Sequence, residues 1–560
     1  MRQLTLLILF LFVASVTVAQ TSQVTFGKNR VQYNQDFDEW SRFESDNFIT
    51  YWYGQGRTLG QSVVQMAEYD FAYIQGMLEH RMNQKVQLIV YADITDVKQS
   101  NIGSDEVFTL PGGNLNRLRG SGYVSGSQAK FLGNKAFVYF NGDHTDLRRQ
   151  VREAVAGVYL ENMLYGSNIQ EVVQNAVLMN LPDWFKQGLV SYMGQPWNTE
   201  LDDQLRSLMA SGRYDDFFEL AEEYPGLAGH SFWFFVARNY GESTVSNLLY
   251  LTRINRSVES GFLYVLGSPY ETVLYNWKEF YQGRFQQDLA GRPALPGQEV
   301  AFKNRRNSPV TQLRLSPDGQ NILYVLNEIG KVKVYRQEIA TGKRELIYKG
   351  GNRNALQATD YNYPLIDWNP SGQEIAVLYE VRDKPKLLLY SLTTGKKLVE
   401  ELAPGLQRVH SLDYIDPGSM VITATVNGYS NVFTYLPATR QFQAVTNDFY
   451  DDLDARAVNV RGRRGIVFAS NRTDTLLQSL RLDTILPIAN FDLFYYDLQN
   501  RSNELVRITN TPFADERLPS AIDTTYFQFV TNESGIHNAT AARLEDYIHH
   551  YDQVITLTTG

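Results

Sequence analysis

The sequence predicts an N-terminal α+β domain followed by an all-β domain of repeated four-strand units, on three observations. Short β-rich segments lie between residues 48 and 140, and from 146 to 287 the apolar residues fall at helical spacing. A Gly/Pro-rich stretch, Gly291 to Gly297, then separates this half from one of short alternating segments. In the second half two turn signatures recur 53 residues apart, Pro317 with Pro370 and Gly342 with Gly395.

Taken in order, the chain opens Met1-Arg2-Gln3, runs apolar from Leu4 to Ala14 and reaches small residues at Thr17-Val18-Ala19. A positive start, a short apolar core and a small-residue cleavage site describe a secretory signal over 1–19. No cysteine follows that run, which argues against a lipoprotein anchor, and no later apolar run approaches the roughly 18 residues of a spanning helix. The mature chain is therefore expected to be exported, periplasmic or outer-membrane associated, with no transmembrane segment. Zero cysteines mean that stability must come from core packing, which a chain of 560 residues can supply. The net charge of −9 argues against nucleic acid as a partner, because phosphate binding needs a basic patch.

The α+β domain is placed at 20–290. Strands are predicted at 48–53, 86–91 and 135–140, with a helix over 59–78 and a Gly/Ser/Asn-rich loop over 100–128. Asp143-His144-Thr145 can cap a helix over 146–164, whose Leu147, Val151, Ala154, Val155 and Val158 share one face. Further helices are expected at 169–178, 184–193, 199–211, 229–240, 243–252 and 270–287.

A linker at 291–300 leads to the repeats at 301–560. Leu315-Ser316-Pro317-Asp318-Gly319 precedes Ala340-Thr341-Gly342-Lys343, and Trp368-Asn369-Pro370-Ser371-Gly372 precedes Thr393-Thr394-Gly395-Lys396. Looser third and fourth units follow, and a fifth begins near Thr525. Repeats of about 40 to 55 residues with four short strands each are the pattern of β-propeller blades. About five blades are expected, with more if the chain is the front part of a longer protein. The turns are read as scaffold. The insertion from Thr473 to Asn490 is expected to fold over a blade edge, the alternative being an apolar docking strip.

Residues 46 to 287 resemble the peptidase MA-like branch of the gluzincins. There an H-E-x-x-H helix is followed by a W-x-x-E-G-L-A-x-Y helix that supplies the third zinc ligand. The resemblance rests on Leu181-Pro182-Asp183-Trp184-Phe185, on Gly188-Leu189-Val190-Ser191-Tyr192 and on the segment from His230 to Gly241. It places Arg152 and Ala156 where the two histidines would stand, Glu153 at the general base and Gln187 at the third ligand. An alanine has no lone pair, a guanidinium repels a dication, and a lone amide oxygen binds zinc poorly. The resemblance thus implies a degenerate metal site: no catalytic residue, no bound metal, no cofactor. Glu153 is expected to pair with Arg149, Arg152 or Lys186, and Arg152 to hydrogen-bond with Gln187 across the old cleft. The histidines, among them His144 and His230, form no i, i+4 pair and are expected at the surface or in loops, with His230 as a cap or packing residue. The acidic pairs Asp202-Asp203, Asp215-Asp216 and Asp451-Asp452 are read as solvated loops.

The second half is similar to the TolB/PD40-type propellers of bacterial envelopes, through the Ser-Pro-Asp-Gly and Asn-Pro-Ser-Gly turns and Phe468-Ala469-Ser470-Asn471-Arg472. The pair of domains is similar to large exported proteins of Bacteroidota-type bacteria. Together the resemblances imply a non-catalytic envelope protein that binds or scaffolds a protein partner in the outer membrane or secretion machinery. Two alternatives are an exported peptidase using an atypical site around Glu153, and a glycan-binding or glycan-cleaving propeller.

Overall fold

The computed structural model describes residues 34–100, 130–166, 181–214, 216–290, 308–354, 359–403, 405–478 and 490–545, with a few single positions between them. The expected signal, most of the Gly/Ser/Asn-rich loop, the 169–178 helix and most of the linker lie outside the described residues.

The N-terminal domain is built on one mixed sheet. Its strands are β1 (Trp40–Glu44), β2 (Phe48–Tyr53), β3 (Val86–Tyr91), β4 (Lys130–Leu132) and β5 (Lys135–Tyr139), in the order β1-β2-β3-β5-β4. β2, β3 and β5 run parallel at the centre, and β1 and β4 are antiparallel edges. Helix α1 (Arg57–Leu78) is the crossover that lets β2 and β3 run parallel. Sequence reading expected strands followed by helices; here the two alternate first, because a parallel pair needs a helix between its strands. A short α2 (Ile94–Gln99), not foreseen from the sequence, follows β3 and is capped by the Asp93 carboxylate, which accepts from the Thr95 and Asp96 N–H groups.

Helix α3 (His144–Tyr165) begins two residues earlier than the periodicity suggests, with Asp143 as its cap. Its Leu147, Val151, Ala154, Val155 and Val158 pack with α1 residues Val63, Met66 and Ile74 on the face of the sheet formed by Phe48, Leu88, Val90 and Val138. The opposite face holds an aromatic layer of Phe37, Tyr53, Tyr91 and Phe137.

Next come α4 (Asp183–Gly194), α5 (Thr199–Ala210), α6 (Phe217–Glu223), α7 (Pro225–Tyr240), α8 (Ser243–Asn255), α9 (Val258–Leu266) and α10 (Tyr270–Leu289). The short α6 and α9 were not predicted. The backbones of α4 and α7 touch at Gly188 and Gly229, where a Cβ on Gly229 would fall 1.9 Å from the Trp184 carbonyl and 2.7 Å from the Gly188 Cα. Around that contact Trp233 donates to the Phe185 carbonyl, Trp277 to the Ser231 hydroxyl and Tyr281 to the Ser231 carbonyl, so these three buried aromatic polar groups have partners.

The second half is a five-bladed propeller of antiparallel sheets with four, four, four, four and three strands among the described residues. Blade 1 comprises β6 (Val310–Leu315), β7 (Asn321–Glu328), β8 (Lys331–Glu338) and β9 (Arg344–Gly350). Blade 2 holds β10 (Leu365–Trp368), β11 (Glu374–Glu380), β12 (Pro385–Ser391) and β13 (Lys397–Glu401). Blade 3 runs from β14 (Arg408–Asp416) through β15 (Ser419–Val426) and β16 (Tyr429–Leu436) to β17 (Gln441–Ala444). Blade 4 contains β18 (Asp452–Val460), β19 (Arg463–Ser470), β20 (Asp492–Asp497) and β21 (Val506–Arg507), and blade 5 β22 (Glu516–Ala521), β23 (Phe527–Thr531) and β24 (Asn538–Ala542).

Successive blades meet along their first strands and bury an apolar layer between them. Leu323 and Val325 of blade 1 pack on Trp368 and Val377 of blade 2, and Val467 and Leu493 of blade 4 on Phe527 of blade 5. Second strands are covered on both sides, which is why β7 is buried along its whole length. The Ser-Pro-Asp-Gly and Asn-Pro-Ser-Gly signatures are the turns joining first to second strands, where Gly319 and Gly372 both take φ +70° and their N–H groups donate to the Ser316 and Asn369 carbonyls. The Thr-Gly-Lys signatures join third to fourth strands, with Gly342 at φ +65° and Gly395 at φ +67°. The start of the fourth-blade insertion does lie along a blade edge. Leu477 donates to the Asn503 carbonyl, Leu505 to the Thr475 carbonyl, and the Leu477 side chain joins the core between blades 3 and 4. Residues 479–489 lie outside the described residues.

Substitution of Gly229 by alanine drives a methyl into the α4 backbone. Overpacking of this kind costs about 1–3 kcal/mol or more, so Gly229→Ala is expected to lower the thermal midpoint of the N-terminal domain, measured by circular dichroism, while alanine at exposed, helical Gly76 of α1, where a Cβ meets nothing within 4 Å, does not.

Candidate functional site

The four positions expected, from the resemblance alone, at a degenerate zinc site lie on α3 and α4, and three have contacts that bind them into the domain. Arg152 donates through Nε to the Met193 carbonyl at 3.0 Å, lies 3.6 Å from the Asp70 carboxylate of α1, and stacks over Tyr73 at 4.8 Å. Its neighbour Arg148 grips the same Asp70 with two bonds of 2.7 Å. The expected bridge from Arg152 to Gln187 thus gives way to contacts with α1 and the end of α4, because Asp70 supplies a buried countercharge there. Ala156 is fully buried in the core. Gln187 is half-buried, next to the glycine at which α4 meets α7.

Glu153 is buried, and of the three partners expected it takes Arg149, at 3.2 Å to both oxygens. Arg149 also holds Asp146, so one guanidinium ties together about two turns of α3. Gly194 lies against the glutamate: a Cβ there would fall 2.2 Å from the Glu153 Cγ. Burial pushes the Glu153 carboxyl up to about 7, with Arg149 pulling the other way. Lys186, the third candidate partner, turns to Asp183 at 3.8 Å and lowers the acidity penalty of Glu161, which burial also raises to about 7. Glu153 is 4% exposed. On the neighbouring strand β4, Phe131 occupies the space left by Gly157.

The N-terminal end of α3 enters the propeller. The Asp451 carboxylate accepts from the His144 N–H at 2.8 Å and lies 2.7 Å from its Nδ1. Both side chains are about 1% exposed, and the imidazole packs between Phe140 and Tyr429. Arg517 of blade 5 bonds Asp454 at 2.6 Å and lies 3.9 Å from Asp143. Leu59 abuts Gly428, Gly142 abuts the His410 ring, and His537 bonds Asp203 of α5 at 2.6 Å.

A second contact is made by α2. Asp93 and Asp96 face Asp383 and Glu380 of blade 2, with one oxygen from each of Asp93, Asp96 and Asp383 lying within 4.8 Å of the others. Arg408, at the start of β14, bonds Asp360 at 2.7 Å and lies 3.7 Å from Glu380. The propeller residues in both contacts cluster where first strands begin, so the N-terminal domain covers one mouth of the propeller.

This seam corrects several expectations. His144 is buried, not at the surface; His230 is the packing residue expected and not a cap, lying mid-helix in α7 with its Nδ1 2.9 Å from the Ser191 hydroxyl, where burial pushes it down to about 3. Asp202 is buried against Arg206 and Trp197, and Asp451 and Asp452 are buried against His144 and Arg472, where solvated loops were expected. The residues of the seam, 307 positions apart at His144 and Asp451, carry no local signal; a hint was available only in acidic residues preceding apolar first strands. The carboxylates a glycosidase reading would need are present at the mouth, but Asp93 and Asp96 are 5% and 2% exposed.

Because Glu153 is raised above the ordinary range by the fold, its contribution to stability is complete below about pH 4.3 and is lost as pH rises toward 7. Glu153→Gln is therefore expected to gain stability relative to the native chain between pH 5 and 7.5, by about 1–3 kcal/mol, measured by urea unfolding at each pH. A difference that does not change with pH would refute this.

No known family profile matches the chain, and no curated protein matches it. Solved structures align with 42% of it. TolB of Acinetobacter baumannii does so at 13% identity and a TM-score of 0.29, and the chain spans 55% of that protein's length. A TolB from Agrobacterium tumefaciens aligns at 15% identity over 80% of its length with a TM-score of 0.29, and the propeller domain of the trilobed protease of Pyrococcus furiosus at 14% identity over 67% with a TM-score of 0.30.

Proposed function

We propose that this chain is a non-catalytic exported protein in which a retired zinc-peptidase scaffold and a TolB-like propeller form one binding module for a protein partner of the bacterial envelope, in the periplasm or at the outer membrane. The observation that carries the reading is the state of the vacated positions. Arg152 is bonded to Met193 and Asp70, Glu153 is closed in by Arg149 and Gly194, and Ala156 is core. Side chains so placed hold helices together and offer neither lone pairs to a metal nor an open base to water.

Binding through the propeller follows from the same geometry. The mouth over which the N-terminal domain sits is closed to a macromolecule, so the partner is assigned to the rim and the opposite face, where blade loops vary freely without disturbing the core. Among the described residues no helix is long and apolar enough to cross a membrane.

The test is metal content together with peptide cleavage. The native mature chain is expected to hold far less than one zinc per molecule and to cleave no peptide in a broad screen. A triple variant, Arg152→His, Ala156→His and Gln187→Glu, is expected to bind zinc at one equivalent by isothermal titration, since it restores the ligand set on an intact helix pair. One zinc held by the native chain, with cleavage lost on chelation, would overturn the proposal.

A further inference from the structure

We propose that docking of the N-terminal domain on the propeller is proton-linked: α2 closes on blade 2 by sharing protons among buried carboxyls, so the seam loosens as pH rises above neutral. Five acids meet at this contact, Asp93 and Asp96 from α2 and its cap, and Asp360, Glu380 and Asp383 from blade 2. Two fixed cations face them. Arg408 is committed to Asp360 and Glu380, and Lys98 of α2 faces the same two acids. In the trio of Asp93, Asp96 and Asp383 the hydrogen bonds come from neutral donors, Tyr53, Asn34 and Gln99 to Asp96, the α2 N-terminus to Asp93 and Gln99 to Asp383, while Arg408 attracts Asp93 and Asp383 and Lys98 attracts Asp93 from beside them.

One oxygen from each of Asp93, Asp96 and Asp383 lies within 4.8 Å of the others, with Asp96 on α2 and Asp383 on blade 2 across the seam. Carboxylates this close and withdrawn from water repel one another when ionised, so the closed seam favours a proton on one of them. Separating the domains returns both groups to water, where they ionise freely near neutral pH. The closed seam therefore binds more protons than the open one, and raising the pH favours opening.

The remaining titratable neighbours fix the window. Burial raises Asp93 and Asp96, lifts Asp383 to about 7 and Glu380 to about 8, with like charges adding to the effect. At the α3 contact burial and Asp451 raise Asp143 to about 6. Two groups act in the opposite sense: burial pushes His410 down to about 3 and lowers Lys98. The histidine effect is complete by about pH 6.5, its ordinary value. From there to about 8 the carboxyls dominate, and closing is lost as pH rises through that interval. Tyr53, Tyr139 and Tyr363 also line the contact and are raised by burial, so they stay neutral throughout.

The chain has no cysteine, so two introduced ones label uniquely. Tyr250→Cys on α8 and Leu398→Cys on β13, both exposed, carry a fluorescence transfer pair on the full mature chain. Transfer efficiency is followed through a urea titration at pH 6.5 and 8.2, with circular dichroism reporting the domains themselves. The opening equilibrium is expected to shift by roughly tenfold toward the open form at the higher pH. Asp383→Asn, which removes one ionisable group from the trio at nearly unchanged size, is expected to cut that shift to less than about threefold. Glu380→Gln provides a second variant at a separate position, expected to reduce the shift as well. A seam equally stable at both pH values, or one whose shift survives unchanged in both variants, overturns the proposal.

Discussion

The N-terminus of α3 is held by a carboxylate from another domain. Asp451 accepts from the first peptide N–H of the helix and from the imidazole beside it, in a place where neither group meets water. Helix N-termini attract negative charge through their free N–H groups, and a buried pair that loses one partner costs about 3–5 kcal/mol. The position of the helix is thus fixed from outside its own domain. The sheet packing, the contacts of Arg152 and the enclosure of Glu153 lie along that same helix.

From this anchor the helix works as a spine. Its apolar stripe covers the parallel strands, and its charged side is wired inward by Asp70 to Arg148 and Arg152, and by Arg149 to Asp146 and Glu153. The α4–α7 glycine contact and its shell of tryptophan and tyrosine then brace the partner helix.

Much of this was legible in the sequence. Strands 48–53 and 86–91 were read to the residue, since alternating β-branched and aromatic side chains leave little choice of period. The blade repeats were readable because turns that need a left-handed glycine tolerate few substitutes. Helices α6 and α9 escaped, being seven and nine residues long and too short for periodicity to declare itself. Of the site, the Glu153–Arg149 pair was visible as an i, i+4 spacing. The seam was not: Asp451 read as a solvated acid and His144 as a surface ring, because a contact between residues 307 apart leaves no mark on either neighbourhood.

The position of the seam bears on how this molecule can be taken apart. A cut between residues 291 and 300 severs the chain at its Gly/Pro-rich stretch, yet the physical boundary runs elsewhere, through His144, Asp93 and Asp96 on one side and Asp451, Asp383 and Arg408 on the other. Either fragment would present to solvent a surface packed as interior, with the propeller half keeping Arg408 paired to Asp360 and Glu380 but uncovered by α2. The working unit for expression, crystallisation or display is the two domains together.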